Sequence, residues 1–350
     1  MENGIVNVST RLDPEQYDIH VCCLRKRGGF AELMPHPDQV ISLDKPSGFS
    51  MAAVKSLKKQ ISEIKPHILH THNLGPLIYG ALASSFGGRV ALIHGEHGQL
   101  DRHHLTKKRL WQRKLLYLAC KRVHTVSESL RLDLIARGFS EGKITSVTNG
   151  VDIDRFQPPE NKKSARRYLG LPVNGKLLGM VGRFSEFKGH MLLLDSFEQM
   201  CEMGIDIHLV LLGSGGSEEA KVLSRVNSSP FSYRIHPVGH QPRPEDFYQA
   251  LDLMVFPSTH EGLSNAVLES MACGVPVLAS EACGNDEAII DGENGFLEVF
   301  DSVEGLSSAV RRIITDTSAL GSAGNKARLH MMGSFSIDFM VRGYRQLYLL

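Results

Sequence analysis

The chain has 350 residues, a length that predicts two domains of ordinary size. Its 39 Lys and Arg residues against 38 Asp and Glu residues give a net charge of +1, which excludes a polycation that binds nucleic acid. No apolar run reaches the roughly 18 residues of a membrane span, residues 1–12 lack the pattern of a signal peptide, and the six cysteines form no CxxC pair. We therefore expect a cytoplasmic protein with reduced thiols.

Short apolar, β-branched runs alternate with longer amphipathic stretches, which is typical of an α/β protein with a parallel sheet. The runs predict strands over 19–24, 40–43, 68–72, 90–94, 123–126 and 144–147, then over 177–182, 208–213, 233–238, 253–257 and 275–280. Helical spacing is found over 51–64, 191–203 and 335–350. The turns, prolines and charges between the two series predict one domain over 1–155, a second over 170–334, and a C-terminal helix over 335–350.

The most informative segment is 256–280, which reads as a strand, a polar loop and a helix that runs from about Ser264 to residue 272. Ser264 or Asn265 is a plausible N-cap, so the free amides of residues 265–267 would form an anion site. Glu261 lies before the helix, where a carboxylate can reach the reacting end of a ligand. Glu269 lies inside the helix, where a carboxylate can accept hydrogen bonds from both hydroxyls of a ribose.

Two cations and a glycine-rich loop follow neighbouring predicted strands. Arg183 and Lys188 come directly after the strand that ends at Gly182, where fixed cations can stabilise a departing diphosphate. Residues 213–216 form a loop that suits close approach of a phosphate, although they lack the GxGxxG spacing. Segment 170–176 fits the start of a Walker A loop, but Leu177 replaces the Ser or Thr and the segment precedes a strand, so we reject a P-loop.

The segment 261–269, EGLSNAVLE, resembles the E-x7-E signature of retaining GT-B glycosyltransferases of family 4. Segments 147–152, 181–189, 211–215 and 284–295 are similar to other motifs of that family. The resemblance implies two Rossmann-like doubly wound domains that face a central cleft, with the C-terminal helix crossing back to the N-terminal domain. It implies transfer of a sugar, with retention, from a nucleoside-diphosphate sugar to a sugar or lipid-linked acceptor in polysaccharide or glycolipid synthesis. No metal or other cofactor is expected.

The resemblance also assigns roles to individual residues. Arg183 and Lys188 would hold the donor diphosphate, Glu269 the ribose, and Glu261 the donor sugar. His97, from the N-terminal domain, would lie at the reacting face, and no residue is assigned as a nucleophile. The other expected donor-binding residues are Gly213, Gly262, Leu263, Ser264, Asn265, Ala266 and Val267.

Other functions remain open at this point. His70, His72, His94 and His97 close two predicted strands, so a metal-dependent hydrolase is imaginable. A sugar-nucleotide epimerase or a phosphorylase of the same fold is the nearer alternative. A degenerate subunit that only binds is disfavoured, because Arg183, Lys188 and both glutamates are all present.

Segment 102–122 contains eight Lys or Arg residues, no acidic residue and the lone Trp111. Its amphipathic spacing suits an anionic membrane surface or a lipid-phosphate acceptor, and a solvated helix face is an equally good interpretation. The neutral net charge argues against nucleic acid as the partner. We therefore expect a cytoplasmic enzyme, with peripheral attachment to the cytoplasmic face of the membrane as a further hypothesis.

The amino-terminal residues 1–12 carry Ile5, Val8 and Leu12 at helical spacing before any predicted strand. A doubly wound domain is expected to begin with a strand and a Gly-rich turn. The sequence at 1–4 resembles the end of such a turn. We hypothesise that the chain begins internally and that the first strand is encoded upstream.

Overall fold

The computed structural model describes residues 2–84, 90–98, 105–259, 262–281 and 284–349. The chain divides into two compact units. The first unit contains Met1–Asn149 and Ile337–Leu350, and the second contains Gly150–Ser336. No helix within the described ranges is both long enough and apolar enough to cross a bilayer.

Strands and helices alternate along both units. The strands are β1 (Val21–Cys23), β2 (Val40–Ser42), β3 (Ile68–His72), β4 (Ala91–Glu96), β5 (Arg122–Thr125), β6 (Ile144–Ser146), β7 (Lys176–Val181), β8 (Ile207–Leu212), β9 (Ile235–Gly239), β10 (Leu253–Phe256), β11 (Val277–Ser280) and β12 (Phe296–Glu298). The helices are α1 (Glu2–Ser9), α2 (Met51–Ile64), α3 (Leu74–Ser84), α4 (Lys107–Ala119), α5 (Glu128–Ala136), α6 (Lys162–Tyr168), α7 (His190–Glu202), α8 (Glu219–Ser228), α9 (Pro244–Ala250), α10 (Asn265–Ala272), α11 (Val303–Thr315), α12 (Thr317–Ser334) and α13 (Ile337–Tyr348).

The first unit holds two parallel sheets. Strands β1 and β2 pair with each other, and β3, β4, β5 and β6 pair in that order. Helix α13 packs against α1 and contributes its apolar side to a core that also contains residues of β4 and of the chain after β6. The buried members of this core are Val8, Leu12, Ile93, Val147, Ile337, Met340, Val341, Tyr344 and Leu347. The C-terminal helix therefore belongs to the first unit, as the resemblance implied.

The second unit is built on one parallel sheet with the strand order β12-β11-β10-β7-β8-β9. The central strands are almost entirely apolar, as expected for strands that are covered on both faces. Leu177 packs with α9 and α10 on one side, whereas its neighbour Leu178 packs with α7, α8 and α11 on the other. This double winding places the loops after β10, β7 and β8 side by side at the carboxyl edge of the sheet.

Every strand that the sequence predicts is present, and no end is displaced by more than two residues. Strand β12 was not predicted. The segment after Gly150 lies in the second unit, because the Val151 amide donates to the carbonyl of Phe335 and Arg328 donates to the carbonyls of Ile153 and Phe156. These bonds tie the chain to the second unit before α6 begins.

Candidate functional site

The loops after β7 and β8 contact each other through backbone groups. The Phe184 amide donates to the Gly215 carbonyl at 2.8 Å. Gly213 has φ +151°, and a Cβ there would overlap the carbonyl oxygen of Gly182. A Cβ on Gly216, which has φ +110°, would overlap the carbonyl of Phe184. Only glycine allows these two loops to approach so closely. Gly213 therefore contributes by leaving room for the backbone of the neighbouring loop.

Two cations that the sequence singled out follow β7. Arg183 is exposed, and its guanidinium has no hydrogen-bond or ion-pair partner among the described residues. Lys188 closes a short 3-10 turn, and its ammonium lies 5.0 Å from the ring centroid of Phe256, the last residue of β10. Both side chains therefore belong to the carboxyl edge of the sheet, where an anionic ligand can meet them.

The turn that carries Lys188 is fixed to the loop after β10. The Phe187 carbonyl accepts from the Thr259 amide at 2.9 Å and from the Ser258 hydroxyl at 3.1 Å. His190, which the sequence analysis did not single out, is buried at the start of α7. Burial and the charge of Lys188 lower the pKa of His190 to about 4, so the ring is neutral near pH 7. Its position two residues after Lys188 was the available signal.

The amino end of α10 offers backbone donors. Residues 262–264 are buried, and the Ser264 side chain does not cap the helix. The amide of Val267 donates to the Ser264 carbonyl at 3.1 Å, so it is not available to a ligand. This finding corrects the expectation of three free amides: those of Asn265 and Ala266 remain, and neither donates within the described part of the chain. Both are intermediate in exposure.

Glu269 is half-buried on α10 and contacts a residue that the sequence analysis missed. The Tyr248 phenol donates to Oε2 of Glu269 at 2.7 Å, and no other hydrogen bond reaches this carboxyl group from the described residues. Burial raises the pKa of Glu269 to about 7, although the Tyr248 hydrogen bond opposes the rise. The carboxyl group thus keeps Oε1 available and titrates near neutral pH. Nothing in the local sequence marks Tyr248 as its partner.

Glu261 lies outside the described residues, so its assignment to the donor sugar stays a prediction. The described edge combines the cations Arg183 and Lys188, two amides at the start of α10, and the carboxyl group of Glu269. Cations and amides complement a diphosphate, and a carboxylate complements a vicinal diol. The arrangement is therefore suited to an anionic nucleotide.

Three of the four histidines singled out in the first unit lie together, with one more that was not singled out. His72, Gly95 and His124 are register partners on β3, β4 and β5, and a Cβ on Gly95 would overlap the His124 ring. His70 Nε2 lies 3.0 Å from His124 Nε2, and His72 Nδ1 lies 2.7 Å from His97 Nε2. Burial and the neighbouring rings lower the pKa values of His70, His72 and His97, and burial lowers that of His124 to about 3. We call these four residues the histidine cluster. The role of His97 at a reacting face stays a prediction.

His94 does not join the histidine cluster, which corrects the expected set. It alternates with Gly95 and so points to the opposite face of β4, where its Nδ1 lies 3.0 Å from the Thr71 hydroxyl. On that face Glu96 accepts from Arg113 at 2.9 Å and from Tyr117 at 2.8 Å. Burial would raise the pKa of Glu96, but the hydrogen bonds and charges of His94 and Arg113 lower it to about 2. Arg113, from the basic segment, is therefore a core residue.

The rest of helix α4 exposes a mixed surface. Its exposed apolar residues share one face at spacings of four and three, and lysines flank them. This α4 face comprises Lys107, Lys108, Trp111, Lys114, Leu115 and Leu118. An exposed tryptophan and two exposed leucines among lysines are typical of a helix that lies on an anionic interface.

Two family models together match most of the chain. Residues 161–330 match the model described as glycosyl transferases group 1, and residues 1–155 match the model described as glycosyltransferase family 4. The two matched segments meet close to the division between the structural units.

Two curated relatives illustrate the similarity. CapM of Staphylococcus aureus, a capsular polysaccharide biosynthesis glycosyltransferase, is 25% identical over 67% of this chain, which spans 63% of the length of CapM. The Escherichia coli UDP-Gal:α-D-GlcNAc-diphosphoundecaprenol α-1,3-galactosyltransferase is 25% identical over 99% of this chain and 94% of its own length.

A solved structure shares the fold over the whole chain. HepE of Anabaena, crystallised in complex with UDP-glucose, is 22% identical, with a TM-score of 0.87 over 100% of this chain and 96% of HepE. This likeness confirms the expected architecture of two Rossmann-like α/β domains.

Proposed function

Because this chain belongs to the group 1 glycosyltransferases of GT-B fold, we propose that it transfers a sugar from a nucleoside-diphosphate sugar to an acceptor hydroxyl. The observation that carries the proposal is the carboxyl edge of the second unit's sheet. There Arg183, the Lys188 turn and the amides of Asn265 and Ala266 follow adjacent strands, and the Arg183 guanidinium has no partner among the described residues. Fixed donors of this kind stabilise the charge that develops on a departing diphosphate.

Glu269 would bind the ribose of the donor, and Glu261 would contact its sugar. We propose retention of the anomeric configuration through a front-face, oxocarbenium-like state, which requires no enzyme nucleophile. We also propose that the reaction needs no metal, because Arg183, Lys188 and helix amides supply the positive potential. An experiment with EDTA tests this point: activity should persist, and loss that zinc or manganese restores would favour a metal-dependent reaction.

The donor is proposed to be a UDP-sugar and the acceptor a lipid-linked or growing polysaccharide. HepE was crystallised with UDP-glucose, and the E. coli relative carries UDP-Gal and a diphosphoundecaprenol acceptor in its name. A thermal-shift panel of UDP-, GDP- and ADP-sugars tests the choice of base. We expect UDP-sugars to raise the Tm most, and Arg183→Ala with Lys188→Ala to abolish the rise.

Product analysis separates the neighbouring reactions. A transferase releases the nucleoside diphosphate only when an acceptor is present, whereas an epimerase converts the donor without one. A phosphorylase would require inorganic phosphate as co-substrate. Donor conversion without acceptor, or strict dependence on phosphate, would contradict sugar transfer.

We further propose that the α4 face attaches the enzyme to anionic membrane on the cytoplasmic side. Its lysines lie beside Trp111, Leu115 and Leu118, so charge attraction and apolar insertion act together. Each lysine near an anionic surface contributes about 1 kcal/mol. The variant Lys107→Gln/Lys108→Gln/Lys114→Gln should sediment less with phosphatidylserine vesicles. The matched control Lys55→Gln/Lys58→Gln/Lys59→Gln, on helix α2, should sediment as the unmodified protein does, and equal effects would contradict the proposal.

A further inference from the structure

The histidine cluster contains more imidazoles than sugar transfer uses. One ring nitrogen from each of His70, His72 and His124 lies within 4.8 Å of the other two. Within the described residues, no acidic side chain hydrogen-bonds to these rings. Buried ring nitrogens such as these need either a hydrogen-bond partner or a bound cation.

We propose that the histidine cluster binds a divalent transition-metal ion, with His70, His72 and His124 as its protein ligands. Neutral imidazole is the nitrogen ligand that Zn²⁺ and Co²⁺ take in proteins. A tetrahedral ion at about 2.0–2.1 Å from each nitrogen keeps those nitrogens about 3.4 Å apart. The cluster spans this value, from 3.0 Å between the Nε2 atoms of His70 and His124 to the limit of 4.8 Å.

Two of the proposed ligands, His70 and His72, make outer contacts through their Nδ1 atoms. His70 Nδ1 lies 3.0 Å from the Tyr348 hydroxyl on α13, and His72 Nδ1 lies 2.7 Å from His97. Metal-binding histidines usually hydrogen-bond through the ring nitrogen that does not bind the metal. The Nε2 atoms of His70 and His72 are therefore the ligand atoms. When an ion binds, the proton shared by the Nε2 atoms of His70 and His124 moves to Nδ1 of the same ring.

The backbone of β4 supplies the space for this arrangement. Gly95 lies between His72 and His124 in the register of the three strands, and any side chain there would displace the His124 ring. The site thus joins β3, β5 and, through Tyr348, helix α13. An ion in it would hold these elements of the first unit together, so binding should raise thermal stability.

Cobalt absorption tests the proposal without any activity assay. The untagged 350-residue protein, first dialysed against a chelator, is titrated with Co²⁺, and Zn²⁺ is then added as a competitor. We expect one Co²⁺ per chain with the strong visible bands of a four-coordinate ion, displaced by Zn²⁺. Tyr348→Phe should weaken Zn²⁺ binding by about 10-fold to 100-fold, as an outer-shell partner does, and His124→Gln should weaken it further.

The second unit offers a matched control. His208 Nδ1 lies 3.1 Å from His236 Nε2, so His208→Gln also breaks a histidine pair, and it should leave Zn²⁺ affinity unchanged. Absence of the cobalt bands, or equal loss in His208→Gln and His124→Gln, would overturn the proposal. If His124→Gln does not fold, ¹⁵N NMR of the unmodified protein decides: Zn²⁺ must shift the ring signals of the cluster and leave the His208–His236 pair unchanged. Because these readouts are spectroscopic, their failure is separate from any failure of sugar transfer.

Discussion

Glu269 should make donor binding depend on pH near neutrality. Its pKa lies at about 7 instead of the ordinary 4.5, because burial disfavours the ionised carboxyl group. If Glu269 holds the donor ribose as proposed, the ribose hydroxyls need an acceptor, so the ionised form should be the one that binds. The apparent affinity then scales with the ionised fraction, which is about one tenth at pH 6 and about nine tenths at pH 8. We expect UDP-glucose to bind about tenfold more tightly at pH 8 than at pH 6.

Isothermal titration calorimetry with UDP-glucose measures this dependence. A UDP-sugar is preferable to UDP, whose terminal phosphate itself titrates near pH 6. In Glu269→Gln the affinity should be lower and the tenfold dependence should disappear. Tyr248→Phe removes the hydrogen bond that lowers the pKa of Glu269, so the midpoint should move to higher pH. His190 is a built-in control, because its pKa of about 4 keeps it neutral throughout the range.

The same titration affects folding. The folded protein keeps the Glu269 proton up to about pH 7, whereas the unfolded chain loses it near pH 4.5. The folded state therefore binds more protons in that window, and the free energy of unfolding falls as the pH rises from 4.5 to 7. The fall is about 1–3 kcal/mol after allowance for partial solvent contact. Urea denaturation should show the fall in the unmodified protein and its absence in Glu269→Gln. Two results together would refute a titration of Glu269 near pH 7. One is a UDP-glucose affinity that does not change with pH. The other is a pH dependence of the free energy of unfolding that is the same in Glu269→Gln as in the unmodified protein.

Gly213→Ala should lower the free energy of unfolding by about 3 kcal/mol or more, because the new Cβ overlaps the Gly182 carbonyl. Thermal denaturation measures this loss. A change below about 0.5 kcal/mol would contradict the loop geometry. Arg113→Ala should lower the free energy of unfolding by about 3–5 kcal/mol, because it leaves Glu96 buried and ionised. Arg113→Met combined with Glu96→Gln should lower it less in the same thermal denaturation assay. A larger loss in the double variant would show that the pair is not coupled. Glu261→Gln should reduce kcat strongly while the Kd for UDP stays nearly unchanged, and normal turnover would remove Glu261 from the reaction.

The strand pattern was readable from the sequence because parallel strands buried on both faces are continuous apolar runs. The exception is β12, Phe296–Glu298, which the sequence analysis did not predict. The positions of Arg183, Lys188 and the start of α10 at one sheet edge were also predicted from the sequence, because each lies in the segment after a predicted strand. The position of a residue after a strand can be read from the local sequence. Because the carboxyl ends of parallel strands lie at one edge of the sheet, that position also predicts where the residue lies.

Contacts between distant segments were not readable. Arg113 looked like a surface cation of a basic helix, and only the packing of α4 on β4 turns it toward Glu96. His124 escaped attention because its neighbourhood depends on the register of three strands. The same limit explains why Tyr248 was missed as the partner of Glu269.

The membership of α13 in the first unit has a consequence for synthesis of the protein. The second unit is one continuous stretch, Gly150–Ser336, and all of its strands have been synthesised before α13 begins. The first unit, in contrast, lacks the side chains of Ile337, Met340 and Tyr344 until the ribosome has passed the whole of the second unit. Its β3–β6 sheet must therefore wait with an apolar face uncovered while the later unit is already able to fold. The nascent amino-terminal half is consequently expected to expose apolar surface for longer during synthesis than the second unit does.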